Sequence, residues 1–418
     1  MHTANTTAPP GIGARAESTE IDLLGWGFAQ DPHSRYALLR AAGDVRKHVV
    51  KTLATELNAW VVADYERARS LLADPRLSKQ IEPLLDAMAA NAVDPTQTIA
   101  RTPRSMLFSD PPDHTRLRRL LGNVFTMRRV ERLRPWIEEL TDSLLDQVVP
   151  GEEFDFVERI GLALPIFVIG KLLGVPQERH DDFRAWNGVL ASLQTTAEQK
   201  REAHGRAFAY IGELIAAKRR EPGDDLVSAL ITAQEDGGSL DDPELLATTY
   251  LMMNAGYETT AHMLSSGVLG LLEHPDQQRL LRADSSLLSS AVEEFLRLES
   301  PLNMATIRFT AEPVELGGTT IPAGQIVFIA LLSANRDPAR FPDPDRLDIT
   351  RANKGHLSFG HGIHHCIGAP LARMEGEIVF GRLLERFATW ELVTPAQQLR
   401  WKYSAQFRGL EALPVRLS

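Results

Sequence analysis

From Asp241 to about Leu272 apolar residues recur at helical spacing. The segment opens on Asp241-Asp242-Pro243, an acidic cap with proline at the first helical position. It closes before His274-Pro275. About 30 residues at 1.5 Å rise predict a helix of roughly 45 Å, long enough to cross an entire domain. Gly256 sits in its middle, where glycine costs roughly 1 kcal/mol relative to alanine. Elsewhere helical patterning outweighs strand patterning, and strand candidates cluster towards the two ends of the chain. The expected fold is therefore mainly α with minor β: a large helical domain, a long central helix and small sheets. Division of 418 residues by a typical domain length allows two or three domains as well. Residues 1–20 are small, polar and proline-bearing and are expected to form a mobile arm, leaving 21–418 as the folded unit. Residues 80–105 are expected to be a loosely patterned, mobile region.

The net charge of −10 disfavours nucleic acid and anionic membrane surfaces as partners. No apolar run approaches the roughly 18 residues that span a bilayer, and no secretory signal pattern is visible. A cytoplasmic location is expected. Against that charge, residues 101–134 carry nine arginines and three acidic residues, a local net of +6. A basic patch on an acidic protein points to an acidic partner or to a solvated helix face.

The chain has one cysteine, Cys366, so internal disulfides are excluded. It lies in L-S-F-G-H-G-I-H-H-C-I-G-A-P-L-A-R, residues 357–373, where Gly360, Gly362 and Gly368 permit tight turns and close backbone approach to a ligand. An amphipathic helix follows, so Cys366 is expected near a helix N-terminus, where dipole and free N–H groups favour thiolate. Taken alone, the residue fits a small buried hydrophobe, a nucleophile with a nearby histidine, or a metal ligand.

The ten residues F-G-H-G-I-H-H-C-I-G fill every fixed position of the haem-binding loop of cytochrome P-450 enzymes, and the chain resembles soluble, actinomycete-type members of that family over nearly its whole length. The resemblance implies a cytochrome P-450 fold holding haem b, with Cys366 as its axial thiolate, Gly368 in the loop and Phe359 shielding the sulfur side. His114 and Arg118, four apart in D-P-P-D-H-T-R-L-R-R, are implied propionate donors together with Arg308 and His364. In A-G-Y-E-T-T, residues 255–260, the resemblance assigns Thr259 a hydrogen bond and Glu258 proton relay during dioxygen activation; many relatives carry histidine where this chain has Tyr257. Glu294 and Arg297, completed by Arg346, are implied to form a buried structural network.

The implied reaction is insertion of one oxygen atom of dioxygen into a hydrophobic small molecule. Electrons would come from NAD(P)H through a ferredoxin reductase and a ferredoxin docking on the basic patch, since no flavin or nicotinamide segment is evident. A monomer is expected. Substrate contacts are expected from residues 80–105 and 165–205, from Met253, from Leu302-Asn303-Met304 and from Ser404 to Phe407, with Asn303 and Gln406 as polar anchors and Met304 and Phe407 as apolar walls. The closest likeness is to macrolide and polyketide hydroxylases; steroid-like or terpenoid substrates are the alternative. A peroxide-driven enzyme and a non-catalytic haem sensor are further readings, both disfavoured by the Glu258-Thr259 pair.

Overall fold

The computed structural model describes residues 23–418 except 24, 44, 52–55, 95–103, 192–194, 236, 237, 353, 354 and 405. The expected N-terminal arm lies outside the described residues, as does part of the 80–105 region. The described part of that region is not loose: Ile81–Asn91 is a helix burying Ile81, Leu84, Ala87 and Met88.

The expected central helix is two helices. Asp242–Ala255 starts on a full capping box, in which the Asp241 side chain accepts the Glu244 N–H and the Glu244 side chain accepts the Asp241 N–H. The helix stops at Gly256 and restarts as Glu258–Glu273. The stop has a packing cause. A Cβ on Gly256 would lie 2.8 Å from Ile169 Cδ1, so a neighbouring helix, Ala163–Leu173, closes on the bare backbone. Thr259 Oγ1 donates to the Ala255 carbonyl at 3.1 Å and satisfies an acceptor at the break. Beyond it, Thr260 through Leu269 are buried without exception.

Around this axis the helices Met127–Leu145, Leu288–Leu298 and Ala369–Arg386 bury leucine, isoleucine, valine and phenylalanine in one large core. A second and third core lie against a five-stranded sheet of order Arg46–Lys51, Glu56–Val62, Ile326–Ile329, Arg308–Thr310, Leu77–Ser78. Ile326–Ile329 runs parallel to Glu56–Val62, with Ile326 opposite Ala59, and the other pairings are antiparallel. The C-terminal segment forms a three-stranded sheet in which Pro414–Leu417 lies between Trp390–Leu392 and Glu153–Asp155. No described helix is long and apolar enough to cross a membrane.

Candidate functional site: a thiol loop and an open cluster of cations

Gly360 and Gly362 both take positive φ, 72° and 74°, which makes glycine the natural residue there. At Gly362 space is also short: a Cβ would sit 2.9 Å from Ala73 Cα. The turns fold Cys366 back so that its N–H donates to the Phe359 carbonyl at 2.8 Å. Helix Ala369–Arg386 starts three residues later with Pro370 in its first turn. Cys366 is exposed, yet protein atoms surround it closely. Burial pushes the thiol pKa up, while the backbone N–H groups of Gly368 and Ala369 and the charges of Arg118 and Arg373 pull it down. These are donors suited to hold negative charge on sulfur.

Phe359 has a partner that sequence reasoning missed. The Arg373 guanidinium lies 4.5 Å from its ring centre. Two hydrogen bonds, 2.6 and 3.0 Å, anchor that guanidinium on Glu293. His356 completes the arrangement: Nδ1 accepts the Ser358 N–H, so Nε2 carries the proton and donates to Glu293 at 3.2 Å.

His114, Arg118, Arg308 and His364 do converge. His114 and His364 rings stand 4.4 Å apart, edge to face. Arg118 donates to the His365 carbonyl at 2.6 Å, tying helix Asp113–Val124 to the thiol loop. Arg308 is buried and donates to the Thr306 carbonyl. Lys79, with no exposed surface at all, joins them, and nothing in its local sequence signals it. These groups depress one another. Burial, then Lys79, His114, Arg308 and Arg118, drive the His364 pKa down. Burial brings the Arg308 pKa down to about 10 despite Asp110. Among the described residues, neither ring nitrogen of His114 has a hydrogen-bond partner. A buried cluster of basic groups with orphaned donors is stabilised by a bound anion, the alternative being loss of their protons. An iron porphyrin brings two carboxylates and a metal seeking thiolate, so these residues fit haem.

On the central helix Ala255, Gly256 and Thr259 are the open positions beside buried Tyr257 and Glu258. Glu258 is not free. Lys402 Nζ bonds its Oε1 at 2.8 Å, and His262 Nε2 lies 3.5 Å from the same oxygen. Burial raises the Glu258 pKa, but His262 and Lys402 overcome it and hold the group near about 2. A short hairpin delivers Lys402 through its N–H to the Gly409 carbonyl, and any side chain at 409 would overlap the His262 ring. Tyr257 packs in the main core, where burial raises its hydroxyl pKa and keeps it protonated.

Several expectations need correction. Arg346 does not bring its guanidinium to Glu294. It is exposed, and its carbonyl accepts from Arg297 at 3.2 Å. The third arginine is Arg351, whose Nε meets Glu294 at 3.2 Å. Asp343, at φ 47°, lies in the turn before Arg346, whose N–H donates to the Asp343 carbonyl at 3.1 Å. Asn303 is no free anchor, because its Oδ1 accepts from the Tyr36 hydroxyl at 2.7 Å in a buried setting. Met253 and Met304 are core residues, 1% and 2% exposed, not cleft walls. Gln406 and Phe407 are half-buried beside the 302–304 segment: Asn303 N–H donates to the Gln406 carbonyl at 2.7 Å, and Leu302 bridges Phe407. The basic stretch is also less bare than its composition. Arg104 pairs with Asp113, Arg116 with Glu244, and Arg129 and Arg132 with Asp224.

Comparison with known proteins agrees with this geometry. The Cytochrome P450 family model matches residues 172–404. The vitamin D(3) 25-hydroxylase of Pseudonocardia autotrophica is 44% identical over 95% of this chain and 96% of its own length. This chain is a cytochrome P450. The 6-deoxyerythronolide B hydroxylase of Saccharopolyspora erythraea is 41% identical, over 96% of this P450 and 99% of its own length. Among solved structures, the tirandamycin C-bound P450 monooxygenase TamI superposes with a TM-score of 0.87 at 44% identity, covering 94% of this chain and 99% of that one. The protein is a haem-dependent monooxygenase, an oxidoreductase that draws electrons from separate redox partners and acts on hydrophobic small molecules.

Proposed function

We propose that this P450 hydroxylates or epoxidises a macrolide or related polyketide, with electrons from a ferredoxin served by a ferredoxin reductase. The observation that carries the chemistry is the Cys366 thiol, held exposed by positive-φ glycines in a loop beside buried basic groups, of which His114 has both ring nitrogens unpaired among the described residues. Thiolate-bound haem supplies dioxygen activation when present. The chain's own residues have distinct tasks. Cys366 binds the iron, with Gly368 N–H donating to sulfur and Phe359 covering it. His114, Arg118, Arg308 and His364 hold the propionates. Thr259 offers its hydroxyl to the cleft, trading its bond to the Ala255 carbonyl. Glu258 passes protons between solvent-reaching Lys402, which is 30% exposed, and the helix break. Arg118 and Arg373 place positive charge on the sulfur side, where an acidic ferredoxin docks.

Likeness over nearly full length to the 6-deoxyerythronolide B hydroxylase supports the substrate class. The 44% identity to the vitamin D(3) 25-hydroxylase favours a second reading, a steroid-like substrate. Dithionite-reduced protein with carbon monoxide is expected to show a strongly red-shifted Soret band, lost in Cys366→Ser. Retention of that band in the variant removes Cys366 as ligand. Spectral titration with macrolides and secosteroids then separates the two substrate readings. Thr259→Ala is expected to release several-fold more peroxide per electron pair with haem still bound. Unchanged coupling with a turned-over substrate counts against the hydroxyl's role.

A further inference from the structure

Helix Ala197–Arg220 starts on a capping box between Thr196 and Gln199 and packs against helix Asp242–Ala255. The two meet at Tyr250. Phe208 stacks on the Tyr250 ring, with centroids 4.5 Å apart, and one turn earlier His204 Nδ1 meets the Tyr250 hydroxyl at 2.8 Å. Burial pushes the phenol pKa up, so the hydroxyl keeps its proton. Nδ1 is the acceptor bonded to it, which leaves the histidine proton on Nε2. Burial, then the Lys200 charge, lowers the His204 pKa and keeps the ring neutral. His204 is half-buried, and among the described residues its Nε2 has no hydrogen-bond partner.

Asn254 lies one turn beyond Tyr250 and acts on the same phenol. Its Nδ2 donates to the Tyr250 carbonyl at 2.9 Å. A carbonyl only accepts, so this bond fixes which end of the amide is nitrogen. Oδ1 is left without a partner among the described residues, an acceptor that is costly to bury unmade. Leu251 and Ala255, at helical spacing, extend the open strip that ends at Thr259, and half-buried Tyr250 and Asn254 flank it. One unpaired donor and one unpaired acceptor thus share a phenol at the edge of that strip. A hydroxyl is the simple group that can accept from one and donate to the other. Among the described residues Lys200 is the one charge acting on the histidine, which suits a neutral oxygen and opposes an amine.

We propose that His204 and Asn254 anchor a hydroxyl group of the hydrophobic substrate, His204 Nε2–H donating to its oxygen and Asn254 Oδ1 accepting its proton, and so decide which carbon is held for oxidation. Tyr250 is a positioning residue that sets the histidine tautomer. The inference rests on the monooxygenase reading but not on the choice between macrolide and steroid-like substrates.

The test reads the Soret shift of the ferric holoenzyme on titration with 6-deoxyerythronolide B, with vitamin D3 and with the O-methyl ethers of both. An ether still accepts a hydrogen bond but cannot donate one. Wild type is expected to bind the alcohol that shifts the band more about tenfold tighter than its ether. Asn254→Leu is expected to weaken that alcohol about tenfold and leave the ether unchanged, so that the two bind alike. His204→Leu is expected to weaken alcohol and ether together, and His204→Gln, whose amide nitrogen replaces Nε2–H, to return most of the loss. Products of the Asn254→Leu enzyme are expected to spread over more than one carbon. Equal affinity of alcohol and ether in wild type overturns the proposal. So does Asn254→Leu weakening both alike, the mark of a merely structural role. Absence of any shift with all four compounds, in protein that shows the red-shifted carbonyl band, overturns it as well. Absence of that band would instead strike the haem-thiolate reading itself.

Discussion

Two clusters of buried charge lie at opposite extremes of satisfaction. Around Glu294 every charge is answered. Arg297 meets both carboxylate oxygens at 2.8 and 2.9 Å, then spends its remaining donors on the carbonyls of Asn335, Pro344 and Arg346. Arg351 and the Asp348 N–H share Glu294 Oε1. Around Lys79, Arg308, His114 and His364 the one carboxylate, Asp110, is consumed by the Lys79 N–H and Ser78, and among the described residues neither His114 ring nitrogen has a partner. Burial depth does not separate the two clusters, for Glu294, Arg297 and Lys79 are all fully buried. Closure separates them. A closed network locks the meander of chain from 335 to 351 onto helix Leu288–Leu298. An open one is a binding site waiting for its counter-charge.

Breaking the closed cluster is expected to have the larger effect. Arg297→Ala leaves buried Glu294 with only Arg351 and the Asp348 N–H, both on Oε1, a loss of about 3–5 kcal/mol. Urea unfolding is expected to show it equally in apoprotein and haem-loaded protein. A loss below about 1 kcal/mol would mean that Arg351 closes the network alone. In the open cluster the sign is expected to depend on the cofactor. Arg308→Met removes a buried cation whose pKa is already brought down to about 10, so the apoprotein is expected to unfold at the same or higher urea. The holoenzyme is expected to lose roughly tenfold in haem retention, about 1.4 kcal/mol. Destabilisation of apoprotein and holoenzyme alike would place Arg308 with the closed kind.

The sequence discloses these clusters unequally, for a physical reason. Glu294 and Arg297 are three apart on one helix, and the thiol loop is confined to ten residues, so both can be read from local spacing. The third arginine depends on the path of the chain after Asp343, along which Arg346 is exposed and Arg351 meets Glu294. Lys79 is buried by a strand pairing across more than two hundred residues, which no local pattern records. The break in the central helix is half legible. Gly256 marks its place, but Ile169, from another helix, makes it necessary. Asn303 and Met304 sit in a segment that does approach Gln406 and Phe407, yet the Asn303 side chain is directed to Tyr36. Segment-level reasoning therefore identifies neighbourhoods better than it identifies cleft-facing atoms.

Glu258 and Lys402 form an intermediate case, a pair closed on one side and reaching solvent on the other. The Glu258 pKa, held at about 2 against an ordinary 4.5, is depressed in the fold. Its contribution to stability is therefore complete above the ordinary value and is lost as pH falls from about 4.5 towards about 2. Lys402→Met removes one partner and leaves His262, whose own pKa burial lowers, to carry the carboxylate. The folded-state pKa of Glu258 must then rise, and the acid-unfolding midpoint is expected to move up by on the order of half a pH unit. Neutral-pH stability is expected to fall modestly by the same linkage, because Glu258 stays buried and ionised with one partner fewer. A second readout bears on the relay. With Lys402 absent, peroxide release per electron pair is expected to rise modestly and to depend on pH across the acid range. An unmoved acid midpoint with unmoved coupling would show His262 alone governing Glu258, and Lys402 would then belong to the surface rather than to the proton path.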